Sequence, residues 1–164
     1  MIGNEHFFLG IDPGYARLGV GIVKTNKNNN LDYIFSDIIE TPANERDSLR
    51  LLNIERDLTK ILTKYPIEFC AIESVFIKKN MTTTSLLLES RGVILLTLEK
   101  FNIRYHETSP TALKKLITGY GKSEKYQMQT MIKKILKLEF IPKPDDAADA
   151  ISLAISAWLN RKDY

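Results

Sequence analysis

The chain has 164 residues and a mass of 18.8 kDa, with 44% hydrophobic residues, 26% charged residues and a net charge of +3. That is the size and balance of one ordinary globular domain, expected here to span 1–164 and to bury a core without staples. It excludes a disordered chain, a collagen repeat and a disulfide scaffold, since there are 8 Gly, 6 Pro and the one cysteine Cys70. A charge this small names no partner. Cys70 lies in an apolar run and reads as a small buried hydrophobe, and a single cysteine suits a reducing cytosol. The apolar stretches fall well short of the roughly 18 residues of a spanning helix. Met1 to Gly10 lacks the basic region and cleavage site of a signal peptide. A cytoplasmic protein with no membrane segment is expected.

Phe7 to Asp12 is a short apolar run that stops at the turn signal Pro13-Gly14. Leu18 to Val23 is a second run, interrupted by Gly19 and Gly21, and Leu31 to Ile39 a third, after the polar turn Asn26 to Asn30. Strands this close leave no room for a helix between them and predict an antiparallel meander. From Asn44 to Tyr65 the spacing of Leu58, Ile61 and Leu62 is helical, and Pro66 ends the helix. Glu68 to Glu73 is a fourth strand. Met81 to Lys100 is a long helix, apolar almost all round over Val93 to Leu98, so buried in the protein or against a partner. Ile103 to Glu107 is a fifth strand. Ser109-Pro110 opens a further helix as N-cap and first helical residue. Lys122 to Leu138 and Asp145 to Leu159 are the last two helices. Strands four and five each follow a helix, so right-handed crossovers place them parallel. The predicted fold is α/β: a five-stranded mixed sheet, three strands antiparallel then two parallel, flanked by helices.

Four acids stand in unusual places. Asp12 ends an apolar strand and Glu73 ends another. Asp146 and Asp149 share one face at the start of the apolar last helix. Singly, each has a plain alternative. Asp12 suits the turn before Pro-Gly, Glu73 a solvated strand end, and Asp145 and Asp146 a cap and a first-turn acid complementing the helix dipole. Asp149 is harder to dismiss, because it sits inside Ala-Ala-Asp-Ala-Ile. The first and fourth strands can be neighbours, with the last helix packed across them. The carboxylates would then converge with no compensating Arg or Lys in their own motifs, and like charges that close repel. A divalent cation removes the problem. Oxygen-only ligands favour Mg²⁺, with Mn²⁺ as the alternative. Two ions roughly 4 Å apart would activate water and stabilise a leaving oxygen in phosphoryl transfer.

The modest net charge is unevenly spread. Between Lys114 and Lys137 there are seven lysines against one acid, Glu124. This segment is either a solvated helix face or a surface for a sugar–phosphate backbone. Gly119-Tyr120-Gly121-Lys122 reads as a loop that lets such a backbone come close, without Walker spacing. Phe76, just past Glu73, would stack on or wedge between bases, or else pack at the start of the next helix.

Taken together, these motifs resemble the bacterial RuvC Holliday junction resolvases, which have an RNase H-like fold. The matching pieces are Leu9-Gly-Ile-Asp-Pro-Gly14 with Gly19 and Gly21, Ile72-Glu73 with Val75-Phe76, Asn80, and Arg91-Gly-Val93. Gly119-Tyr-Gly121 with Glu124, Lys125, Gln127 and Gln129, and Asp146-Ala-Ala-Asp-Ala150 complete the set. The resemblance implies that Asp12, Glu73, Asp146 and Asp149 are the catalytic, metal-binding acids, with two Mg²⁺ ions and Asp12 between them. Lys114 and Lys125 match basic residues near the scissile phosphate, and Phe76 matches an aromatic that disturbs base pairing. With Lys122 these are the expected DNA contacts. The family works as a homodimer on four-way junction DNA, nicks two strands of like polarity, and accompanies the RuvA–RuvB branch-migration proteins. The helix from Met81 to Lys100 would be the dimer surface. Ser123, where the family often has Ala, and a short N-terminal extension are departures that do not touch the acids. Three other classes fit the residues less well. An actin-like ATPase or sugar kinase shares Gly-Ile-Asp-x-Gly but needs more than twice this length. An inert junction-binding module would not need four acids. A ribonuclease of the same fold is set apart by the Lys-rich segment and Phe76.

Overall fold

β1 (Phe7–Asp12) lies at the centre of the sheet, and the molecule is organised outward from it. The computed structural model describes residues 5–75, 81–141 and 145–161. β2 (Arg17–Thr25) and β3 (Leu31–Glu40) form the meander, and α1 (Asp47–Lys64) leads to β4 (Ile67–Glu73). α2 (Met81–Lys100) leads to β5 (Arg104–Thr108), and α3 (Pro110–Thr118), α4 (Lys125–Ile135) and α5 (Asp145–Asn160) follow. The sheet order is β3-β2-β1-β4-β5, with β1 antiparallel to β2 and parallel to β4, and β4 parallel to β5. The mixed five-stranded sheet expected from the sequence is therefore the observed one. Among the described residues no helix is long and apolar enough to cross a membrane.

Alternation along the strands sorts side chains onto two faces. Leu9 and Ile11 of β1, Leu18, Val20 and Ile22 of β2, and Cys70 and Ile72 of β4 join Ile54, Leu58, Ile94 and Leu98 of α1 and α2 in one core. Phe8, Val23, Phe69 and Ala71 point the other way, into a second core built with α3, α4 and α5. Cys70 is the buried hydrophobe expected of it.

The α5 face carries Gly10 on β1 and Gly19 and Gly21 on β2, and these glycines let the helix backbone come down onto the sheet. A Cβ at Gly10 would sit 1.9 Å from the Ala150 carbonyl oxygen, and one at Gly21 2.6 Å from the Ile151 nitrogen. α5 answers with small side chains: Ala147, Ala148, Ala150, Ala154 and Ala157 are all buried.

α4 is shorter than the Lys122 to Leu138 helix read from the sequence. At its start, Glu124 and Gln127 form a capping box, with the Glu124 N–H donating to Gln127 Oε1 at 2.8 Å. Ser123 belongs to the preceding turn, its hydroxyl donating to the Tyr120 carbonyl at 2.8 Å. At its end, Lys137 takes a left-handed φ of 51° and the Leu138 N–H reaches back to the Lys133 carbonyl at 2.9 Å. That is a Schellman closure with lysine where glycine is usual. α3 begins as predicted, with the Ser109 hydroxyl accepting from the Ala112 N–H and Pro110 at the first turn.

Gly10→Ala should cost about 3 kcal/mol or more, because the added methyl meets backbone on a rigid helix and not a movable side chain. Urea unfolding of the two proteins measures the difference.

Candidate active site

Strand parity decides which acids can meet. Phe8, Gly10 and Asp12 share one face of β1, and Phe69, Ala71 and Glu73 share one face of β4. Both sets face α5, as their common core shows. The β1–β4 register runs Gly10 beside Ala71 and Ile11 beside Ile72. One step further places the two acids at adjacent strand ends, and Asp12 and Glu73 share a hydrogen bond. On the other side Asp12 pairs in register with Gly19. A Cβ at Gly19 would lie 2.4 Å from the Asp146 carbonyl oxygen and 3.3 Å from the Asp12 Cβ. Gly19 is thus the gap through which the first turn of α5 reaches Asp12. Asp149, one turn on, follows onto the same side.

The electrostatics follow from that convergence. Burial pushes the Asp12 carboxyl up to about 8, and the negative charges of Glu73, Asp149 and Asp146 push in the same direction. Glu73 is raised by burial and by Asp149, against the opposing pull of the Asp12 hydrogen bond and Lys114. Asp149 is raised by burial, opposed first by Lys125. Beside the acids opens a cleft of about 350 Å³, lined by Glu73, Lys114, Lys125, Met128 and Asp149 among others.

The expected DNA-contacting residues divide. Lys114 and Lys125 line this cleft with two of the acids. Lys122 is exposed on the loop between α3 and α4, outside the cleft lining. Phe76 lies outside the described residues.

The acids' own motifs carry no Arg or Lys, as read from the sequence, but two cations from other elements approach the first turn of α5. Arg17 Nε lies 3.0 Å from Asp146 Oδ2, and Lys125 Nζ lies 2.9 Å from Asp145 Oδ2. Gln129 also donates to Asp145. Arg17 carried no motif in the sequence. Its signal was parity: two residues before Gly19, it projects from β2 towards α5. The first turn after β1 is tied down as well, the Ser90 hydroxyl of α2 donating to the Gly14 carbonyl at 3.3 Å.

Among the described residues no trio of His, Cys, Asp or Glu forms a ready-made metal clasp. The donor chemistry nonetheless fits a hard cation. Burial first, and then three neighbouring carboxylates, oppose ionisation of Asp12, and added positive charge would relieve both. Asp12, Glu73, Asp146 and Asp149 offer oxygen ligands alone.

A raised folded-state pKa makes the native protein hold a proton that the unfolded chain releases. Stability therefore falls as pH rises from the ordinary value of 3.8 towards about 8. In EDTA, the melting temperature should drop between pH 5 and pH 8, and the drop should be shallower in Asp12→Asn. Calorimetry across that range measures both slopes.

The chain is similar to known proteins over nearly its whole length. The family model described as crossover junction endodeoxyribonuclease RuvC matches residues 8–157. The crossover junction endodeoxyribonuclease RuvC of Petrotoga mobilis is 44% identical over 156 residues, 95% of each chain. That of Thermotoga maritima is 40% identical over 146 residues, 89% of this chain and 86% of its own. Among solved structures, Thermus thermophilus RuvC superposes with a TM-score of 0.86 at 22% identity, over 96% of each chain. T. thermophilus RuvC in complex with a Holliday junction substrate gives 0.85 at 20% identity, again over 96% of each. At those identities the structures establish the shared RNase H-like fold. Joined to the sequence matches across nearly the whole length, they place the chain in the RuvC family of crossover junction endodeoxyribonucleases.

Proposed function

We propose that this chain resolves Holliday junctions, with Asp12, Glu73, Asp146 and Asp149 as its reaction centre and divalent cations held among their oxygens. The observation that carries the proposal is the convergence of these acids on Asp12, whose carboxyl is pushed up to about 8 by burial and three like charges. Two Mg²⁺ ions per site suit the oxygen-only ligands, and Mn²⁺ would substitute. When bound, such ions supply an activated water and neutralise the departing 3′-oxygen.

The chain's own residues bind and orient. Asp12 and Glu73, which share a hydrogen bond, would hold such an ion through both carboxylates, and its positive charge would favour their ionised forms. Lys114 and Lys125, facing the cleft beside Glu73 and Asp149, offset charge that grows on the phosphoryl oxygens. Lys122 and the lysines of α4 extend the contact along the phosphate backbone. Phe76 is assigned to the disturbed base pairs at the junction centre.

One such centre cuts one strand. Paired nicks of like polarity therefore require two copies related by a two-fold axis that matches the substrate. α2 is the surface offered for that dimer, with Leu88 and Leu96 exposed on it at 43% and 58%. Family membership supports RuvA and RuvB as partners and the cytoplasm as the place of action.

The direct test is Mg²⁺-dependent cleavage of a synthetic four-way junction beside linear duplex and an RNA–DNA hybrid. Cleavage confined to the junction supports the proposal, and preferential cutting of the hybrid replaces it with a ribonuclease of the same fold. Asp12→Asn should lower nicking by roughly 10³-fold or more and leave junction binding in EDTA little changed by gel shift. Lys125→Ala should weaken junction binding and reduce the slope of log K against log salt by about 0.9.

A further inference from the structure

Arg17 is the cation nearest the first turn of α5 that the functional assignment leaves unused. It opens β2, and the parity of the strand turns it towards the helix with Gly19 and Gly21. Its Nε sits 3.0 Å from Asp146 Oδ2 and 3.9 Å from Glu40 Oε1, its cross-strand partner in the β2–β3 register. The guanidinium therefore stands between two carboxylates, closer to the one on α5. Both members of the close pair remain wet, Arg17 at 49% and Asp146 at 38% side-chain exposure. That exposure keeps the bond weak enough to exchange. A buried version would lock Asp146 for good.

We propose that Arg17 is a positioning residue that acts as the resident cation of Asp146. In the metal-free chain its guanidinium commits an Asp146 oxygen. A divalent ion entering beside Asp12 must displace it, and the released guanidinium turns to Glu40. Arg17 thus lowers the affinity of the site for metal and holds the Asp146 carboxylate in one place until metal arrives. This inference rests on the assignment of Asp146 as a metal ligand. The value of an ion pair this exposed limits the effect to a factor of about two to five.

Mn²⁺ binding to the DNA-free protein, followed by calorimetry or by loss of the free-ion electron paramagnetic resonance signal, tests it without reference to activity. Arg17→Ala should bind Mn²⁺ about two- to fivefold more tightly, and Arg17→Lys should return the affinity towards wild type. Unchanged or weaker binding in Arg17→Ala, or Lys behaving as Ala does, overturns the proposal. Asp12→Asn is the reference. If it loses Mn²⁺ while Arg17→Ala binds as wild type does, the role of Arg17 alone fails. If Asp12→Asn binds Mn²⁺ undiminished, the metal assignment fails and takes this inference with it. Circular dichroism of each variant confirms the fold, which an exposed side chain at a strand end leaves intact.

Discussion

The approach of α5 to the sheet governs everything else in this molecule. A helix packed on large side chains stands farther from a sheet, too far for a first-turn aspartate to reach a strand end. Here three glycines on β1 and β2 face a helix of alanines, and the helix backbone rests on the strand backbone. The gain is not in apolar area, since Gly and Ala bury little. It lies in position, because an aspartate on so short an arm meets another only if the main chains carrying them are almost in contact. The same closeness explains why the acidic residues are aspartates on β1 and α5, and why the longer Glu is found at the end of β4, to one side.

Such closeness has an electrostatic consequence. Folding drives carboxylates together and removes water from them, both of which oppose ionisation. The protein relieves part of this strain locally. Arg17 and Lys125 sit on the solvent side of the α5 carboxylates, while the inner pair, Asp12 and Glu73, shares a hydrogen bond. The centre is thus graded, from an interior whose carboxyls resist ionisation to a cation-paired rim. Positive charge added at the interior has the most to gain, which is the property a site for hard cations needs.

Much of this was legible in the residues. Apolar runs and turn signals placed the strands to within a residue or two, because β1, β2 and β4 are buried on both faces and read as near-continuous apolar runs. Asp12 and Glu73 stood out as charged ends of such runs. The ends of α4 were not legible in the same way. The lysine pattern continues through Lys137, whereas the helix stops on a backbone turn in which a lysine adopts a glycine's conformation. Arg17 was missed for a different reason. Its partner lies at the far end of the chain, and an ion pair between a strand and a distant helix leaves no periodic trace. Parity relative to Gly19 could have found it, given the conclusion that the glycines face α5.

The seating of α5 on β1 and β2 also bears on synthesis. The chain leaves the ribosome with Asp12 first and Glu73 much later, while Asp146 and Asp149 come on the last helix. Until α5 lands on the glycine floor, the first two acids have no third or fourth companion. A partly made chain therefore carries the two strand-end acids without the two that α5 brings. On the proposed assignment of the four acids, the helix that closes the core is also the one that completes the reaction centre.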